Sequence, residues 1–362
     1  MDRLLLTAQV ALGALGILGV AAAAPDLAGE HALRVGAALA LTVAVARLPV
    51  ARVVRASPWL YGGTLLLLVA VLLVGVAPAG SDARRWLLVG GVSVQPSELM
   101  KVAVIAYLAA FFWNHLGDWQ IWRPMLVVGL AAGAIVAQPD ISTAAFLFAL
   151  AFAVMLAAGT TLTRLLSITV AAALVAVVIG GPYLSQFSYL AERIAGFQDL
   201  WGAQEATRST SYQAYRAREA LQAGGWIGVG PGLPVRVPEA ETDMVAVALG
   251  RTLGLLGMAT LIATYLLVAS RGLRIAAAQA GPGALLAAGA TAYVTGQAAL
   301  NLLVASGLLP VTGIPLPFVS YGLNSLVSVA IAFGFLHAAH REAVRAGAIP
   351  ASATPDADGV PT

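Results

Sequence analysis

Three carboxylates fall within five positions in Pro238-Glu239-Ala240-Glu241-Thr242-Asp243, immediately before an apolar run that begins at Met244. Acids at a water–lipid boundary stay solvated while reaching a lipid-borne group, and a carboxylate so placed can take a proton from a hydroxyl. The same pattern also suits an ordinary helix start, with Thr242 or Asp243 as N-cap and the acids favoured by the helix dipole. A second charged group stands further back. Lys101 is the single lysine of the chain, and Glu98 lies three residues before it, on the same helical face. Each charge costs on the order of 2.5–3.5 kcal/mol near a bilayer centre, so such residues face a polar cavity or satisfy each other. Pro96 and Ser97 fit the first turn of that helix, whose free amide groups form a ready anion site. Arg84, Arg85 and Trp86 lie just upstream and add cationic donors and an aromatic ring. The third group is Asp140, which interrupts an apolar stretch from Met125 to Ala158, with Gln138-Pro139 before it and Ser142-Thr143 after it. Pro-Asp at a break suits a helix N-cap. A break at membrane depth is nevertheless tolerated only where it is buried in protein or lines a cavity.

The elements that carry these residues are membrane spans. The chain has 362 residues, of which 60% are hydrophobic and 10% charged, against about 25% charged in a soluble domain. Apolar runs long enough for spanning helices fall at about 4–24, 32–50, 59–77, 96–113, 124–138, 141–158, 165–181, 244–269, 284–306 and 324–338. The expected fold is an all-α polytopic membrane protein of about ten helices, with a large extracytoplasmic loop over about 182–243 between helices 7 and 8. With the N-terminus inside, Arg3, Arg47, Arg52, Arg55, Arg123, Arg164, Arg271, Arg274, Arg341 and Arg345 all fall on the cytoplasmic side, which places both termini in the cytoplasm. The first run also passes for a cleaved signal peptide, but the charge balance over ten spans favours an uncleaved first helix. Residues 1–340 then form a single transmembrane domain, and 341–362 read as a disordered cytoplasmic tail.

Other classes of chemistry find little support. Without cysteine, disulfides and cysteine-based metal or redox chemistry are excluded. His337 and His340 lie three apart in a basic tail and read as a solvated face rather than a metal site. No phosphate-binding loop, dinucleotide fingerprint or internal repeat is present, and no nucleic-acid partner is expected. Residues 211–223 carry a helical pattern followed by the glycine-rich run 224–232, which suits either an interfacial helix or a soluble cap. From Pro310 to Gly322, three prolines and two glycines dictate a rigid non-helical segment. It is either a structural turn or the wall of an aqueous vestibule.

Taken together, these stretches resemble the SEDS family of cell-wall polymerases, the RodA and FtsW type. The resemblance rests on Arg85-Trp86, on Gln95-Pro96-Ser97-Glu98 with Lys101, on Gln138-Pro139-Asp140 with Thr143, and on Tyr212-Gln213 with the glycine-rich turn. Pro238-Glu239 with Thr242-Asp243, and Gly313-Ile314-Pro315-Leu316-Pro317-Phe318 with Ser320-Tyr321-Gly322, complete it. The motifs keep the family order across residues 85–325. Several positions depart from the pattern. Gly250-Arg251-Thr252-Leu253-Gly254 stands where two glutamates are usual, Met244 replaces a phenylalanine, Ser142 replaces a glycine, and Gly322-Leu323-Asn324-Ser325 replaces Gly-Gly-Ser-Ser.

The resemblance implies a peptidoglycan polymerase at the outer face of the bacterial cytoplasmic membrane, working in cell elongation or division. The donor is a glycan chain on undecaprenyl pyrophosphate, the acceptor is lipid II, and the transfer inverts the donor linkage, for which one general base suffices. It assigns Asp243 as that base and Arg85, Lys101 and the amides near Ser97 to the pyrophosphate, with Glu98 orienting Lys101 or binding a divalent cation together with Asp140. Trp86 stacks on a sugar or anchors at the interface. Gln95, Thr143, Glu239, Thr242, Pro315, Ser320 and Tyr321 complete the expected substrate-binding set. No dedicated metal cage is evident, so the cation (Mg2+ or Mn2+) is expected to arrive on the substrate. A class B penicillin-binding protein, a single-span transpeptidase, is the expected partner, alongside membrane lipid. Two competing readings remain: a lipid-precursor flippase or transporter, in which Glu98 and Lys101 matter and Asp243 hardly does, and a non-catalytic scaffold.

Overall fold

The computed structural model describes residues 1–77, 83–115, 121–170, 197, 209–233 and 235–349. Apolar runs become helices: α1 (Arg3–Ala23), α2 (Ala28–Ala46), α3 (Val50–Val74), α4 (Pro96–Asn114), α5 (Trp122–Val136) and α6 (Ile141–Ala157). After a helical stretch at 162–170 come α7 (Ser209–Gly224), α8 (Val245–Ala277), α9 (Pro282–Ala305) and α10 (Leu323–Arg345). By length and composition α1, α2 with the turn before it, α3, α4, α8 and α10 are apolar enough to cross a membrane. The fold is that of a polytopic membrane protein. The expected seventh span is helical to residue 170; its remainder, and the loop to residue 208 apart from residue 197, lie outside the described residues.

An apolar helix with a buried polar stripe sits at the centre. α9 packs against α4, α6, α8 and α10, while α1 packs on α8, α2 on α10, and α3 on α4. Thr291, Tyr293, Gln297 and Asn301 of α9 are all buried, which a helix tolerates when its neighbours supply the hydrogen bonds. α4 is buried on every side because it serves two cores. Val102, Ile105, Ala106 and Ala109 join the main cluster with α1, α2, α8, α9 and α10. Met100, Ala103, Val104 and Leu108 join a second cluster with α3, α5 and α6. Leu66, Leu73, Leu130 and Leu266 remain exposed, as lipid-facing side chains are in a membrane bundle.

Four features depart from the sequence expectation. A small antiparallel hairpin, β1 (Leu87–Val89) and β2 (Val92–Val94), stands in the loop before α4, with Leu87 opposite Val94 and Gly90-Gly91 as its turn. α8 runs to Ala277, past residue 269, and is not a simple rod. Gly254 has φ 65° and ψ −160°, and the glycine-rich run docks on this kink: Val229 and Gly230 N–H donate to Arg251 and Thr252 O, and Leu255 and Leu256 N–H donate to Gly225 and Trp226 O. A Cβ on Gly254 would stand 2.4 Å from Gly228 N, so only glycine permits the approach. α10 continues to Arg345, and Arg341 donates to Leu48 O at 2.8 Å. The ordered domain therefore extends past residue 340, and residues 350–362 lie outside the described set. Finally, His337 and His340 do not form a solvated face. Both are buried. The Asp2 N–H donates to His337 Nδ1 at 3.3 Å, and the Asp2 carboxylate bonds Arg271 and lies 3.8 Å from His340 Nδ1.

Candidate active site

Chain direction brings the first turns of α4, α6, α8 and α10 to one end of the bundle. Cross-links between them confirm the placement: Gln95 N–H donates to Asn324 Oδ1 at 3.1 Å, Asn324 donates to Ser93 O at 2.9 Å, and Arg85 reaches the break before α6. Helix N-termini carry partial positive charge, so this end of the molecule favours an anion.

Asp243 stands in the turn before α8 and does not cap it. Met244 occupies the N-cap position without a side-chain bond, and Met244 N–H donates to Glu239 O at 2.9 Å. Glu239 takes φ 56°, a left-handed conformation uncommon outside glycine, and its carboxylate accepts from Thr242 Oγ1 at 2.8 Å. The turn is stitched at three consecutive carbonyls, two of them to the 310–322 segment and the third to α9. Tyr321 N–H donates to Glu241 O at 2.8 Å, Ser320 Oγ to Thr242 O at 2.7 Å, and Asn301 Nδ2 to Asp243 O at 2.8 Å. On the other side the Asp243 carboxylate lies against Gly313: a Cβ there would be 3.4 Å from Oδ2, and the φ of 74° itself suits glycine. The Pro-rich segment is non-helical as its composition dictates. Ser320 Oγ also accepts from Leu316 N–H at 2.7 Å, so Ser320, expected to touch substrate, works as a staple between the two segments.

Glu98 and Lys101 meet as their spacing requires, at 2.6 Å, but inside the bundle: 4% and 1% exposed. Lys101 Nζ also donates to Gln297 Oε1 at 2.8 Å, and Tyr293 OH to Glu98 Oε2 at 3.4 Å. Gln297 Nε2 then donates to Pro315 O at 2.9 Å. The pair is therefore enclosed in the bundle and braces the 310–322 segment through Gln297, where the sequence reading puts Lys101 on the pyrophosphate. Ser97 is buried as well, its Oγ without a hydrogen-bond partner among the described residues.

Asp140 caps α6, accepting from Thr143 N–H at 3.3 Å. Arg85 holds the break: its guanidinium donates to Gln138 O and Pro139 O and lies 3.9 Å from Asp140 Oδ1. Those two Arg85 bonds satisfy carbonyls freed at the break, as a broken membrane helix requires, and Gln138 Nε2 ties the break to α3 through Leu68 O at 3.0 Å. Trp86 bridges Val76 at the foot of the hairpin. Tyr321 OH donates to Glu30 at 2.7 Å beneath the Arg34 guanidinium, 4.2 Å from its ring centre. Partial burial, and then the Glu30 bond, push this phenol above its ordinary range, so it stays a donor. Gln213 Nε2 donates to Pro238 O at 3.2 Å, and α7 covers the start of α8 with Ala217, Ala220 and Leu221, which favours a cap over a free interfacial helix. Glu98 and Asp140 are each held by cations, and no group of three or more His, Asp or Glu able to hold a metal occurs among the described residues.

Tyr293, Gln297 and Asn301 escaped the sequence reading. Their spacing of four along an otherwise apolar helix is the signal that marks a polar stripe.

Comparison with known proteins points the same way. Residues 21–345 match the family of cell cycle proteins that groups FtsW, RodA and SpoVE. The chain is 32% identical to the probable peptidoglycan glycosyltransferase FtsW of Thioalkalivibrio sp. (strain K90mix), over 95% of this chain and 90% of that protein. Identity to the corresponding protein of Allochromatium vinosum is 33%, over 85% and 78%. Among solved structures, a component of a peptidoglycan synthase complex that coordinates polymerization and crosslinking superposes with TM-score 0.79 at 28% identity, covering 94% of this chain and 98% of that one. Rod shape determining protein RodA of Thermus thermophilus gives 0.69 at 25% identity, covering 94% and 97%.

Proposed function

Because the chain belongs to the family of cell cycle proteins that groups FtsW, RodA and SpoVE, we propose that it is a peptidoglycan glycosyltransferase that polymerises glycan strands from lipid II. It works in the bacterial cytoplasmic membrane with both termini in the cytoplasm, as the arginine distribution supports, so the end bearing Asp243 faces outward. The donor strand hangs from undecaprenyl pyrophosphate with its lipid in the bilayer.

In the reaction, the acceptor sugar hydroxyl of lipid II gives its proton to Asp243 as its oxygen attacks the anomeric carbon of the donor. The bond from that carbon to the pyrophosphate oxygen breaks, and pyrophosphate leaves with the electron pair and inverted stereochemistry behind it. A pyrophosphate leaves readily once its charge is met. The converging helix N-termini and the arginines at 84 and 85 meet it here, and a divalent cation (Mg2+ or Mn2+) carried by the substrate would add further charge neutralisation. Glu98 and Lys101 shape the wall through Gln297, and Trp86, Gln95, Thr143, Glu239, Thr242, Pro315 and Tyr321 border the path of the sugars. A class B penicillin-binding protein is the partner that crosslinks the product.

The observation that carries this reading is the stitching of the Asp243 turn at three consecutive carbonyls, which fixes a carboxylate that packing alone does not require. The test is to incubate the purified protein, with its transpeptidase inactivated at its own active site, with lipid II. Long strands that a muramidase cleaves support polymerisation. No product where a known polymerase works, together with transbilayer movement of lipid II in vesicles, supports the flippase instead.

A further inference from the structure

Asn301 is almost fully buried, 1% exposed, on the stripe of α9 that faces the site. Its amide nitrogen donates to two carbonyls at once, Asp243 O and Ile314 O, each at 2.8 Å. Two acceptors on one side fix the orientation of the amide, because a flipped group would set its oxygen against both. Those two carbonyls are not equivalent. One belongs to the residue whose carboxylate is the proposed base; the other follows Gly313, the residue against which that carboxylate lies. A single side chain thus sets the separation between the base and the wall it faces. One turn earlier, Gln297 bonds Pro315 O in the same manner, so α9 holds the segment at two neighbouring carbonyls.

We propose that Asn301 is a positioning residue for Asp243: it acts on the reaction by holding the Asp243 turn and the Gly313–Ile314 wall at one fixed distance. This rests on the reading of Asp243 as the general base. Displacing a reacting group by about 1 Å costs on the order of 100-fold in rate, whereas binding of the distant lipid and sugar parts of the substrate is untouched.

The experiment uses the full chain with its inactivated transpeptidase and compares wild type with Asn301→Leu, which keeps the volume and removes the donor. The expected result is a fall in kcat of roughly 10–100-fold with KM for lipid II changed by less than about threefold, in protein whose thermal unfolding midpoint stays near that of wild type. Wild-type kcat, or a rise in KM that accounts for the whole loss, overturns the proposal. Asn301→Asp, isosteric and able only to accept at these carbonyls, is read by the same split where the leucine variant does not fold. If neither variant folds, the amide is a structural fastening and the proposal is overturned. Asp243→Asn is assayed in parallel. If it is inactive while Asn301→Leu is fully active, only the positioning role fails; if it is fully active, the reading of the base fails first.

Discussion

Glu98 and Lys101 depend on each other more than a surface pair would. Removing one partner of a buried ion pair strands the other in a low-dielectric interior, at a cost of about 3–5 kcal/mol. Lys101→Met is therefore expected to lower the unfolding midpoint in detergent sharply, and Glu98→Gln added to it to recover most of the loss. A double variant as unstable as the single one contradicts a mutually satisfied pair. The pair itself was legible from a spacing of three on an apolar helix. Its other partners were not: Gln297 lies 196 positions away and Tyr293 lies 195 away, and local periodicity says nothing about which helices become neighbours. The same limit explains Ser320 and Arg85. Their types announced polar work, but only the fold reveals that the one staples two loops and the other satisfies the backbone of a broken helix.

At the scale of elements, the kink in α8 shows how a continuous apolar pattern hides a break. Periodicity persists through Gly250–Gly254, so the run reads as one helix. The glycines at 224–232 are equally visible, yet nothing local shows that they exchange backbone hydrogen bonds with residues 251–256. Gly254→Ala forces a Cβ into a left-handed position against Gly228 N, 2.4 Å away, at a cost of at least about 1–3 kcal/mol. The expected signature is faster hydrogen exchange at the amides of Val229, Gly230, Leu255 and Leu256; unchanged protection there contradicts the docking. Arg251 and Thr252 sit in this junction, Arg251 donating to Leu233 O at 3.3 Å. The departure from the usual two glutamates thus alters the junction and leaves the Asp243 turn in place.

Across the whole molecule, Asp2 ties the first helix to the last. It caps α1 by accepting from Leu5 N–H at 2.9 Å and pairs with Arg271 of α8, with His337 and His340 of α10 facing it. Burial alone would raise this carboxyl, but the Arg271 bond, the Leu5 amide and the nearby charges outweigh it and hold Asp2 below the ordinary range. A carboxyl whose folded pKa is depressed contributes stability above its unfolded value, about 3.9, and loses it as pH falls through the folded value. Asp2→Asn is accordingly expected to destabilise the protein at pH 7 and to flatten the acid limb of its stability profile below about pH 4. An unchanged acid limb contradicts the clasp. The two histidines looked solvated because their partner lies at the opposite end of the chain. The apolar runs and the Pro- and Gly-rich composition of 310–322, by contrast, are enough in the sequence for the membrane bundle and the rigid segment, and the order of the motifs from Arg85 to Ser325 is enough for the family.

The most direct test of the central claim is lipid II polymerisation by wild type and by Asp243→Asn, each purified with a transpeptidase inactivated at its own active site. Removing a general base is expected to lower the rate by at least about 100-fold in protein that folds and still binds lipid II. Long strands from wild type and none from the variant are predicted; equal strands from both contradict Asp243 as the base and move the chemistry to another carboxylate.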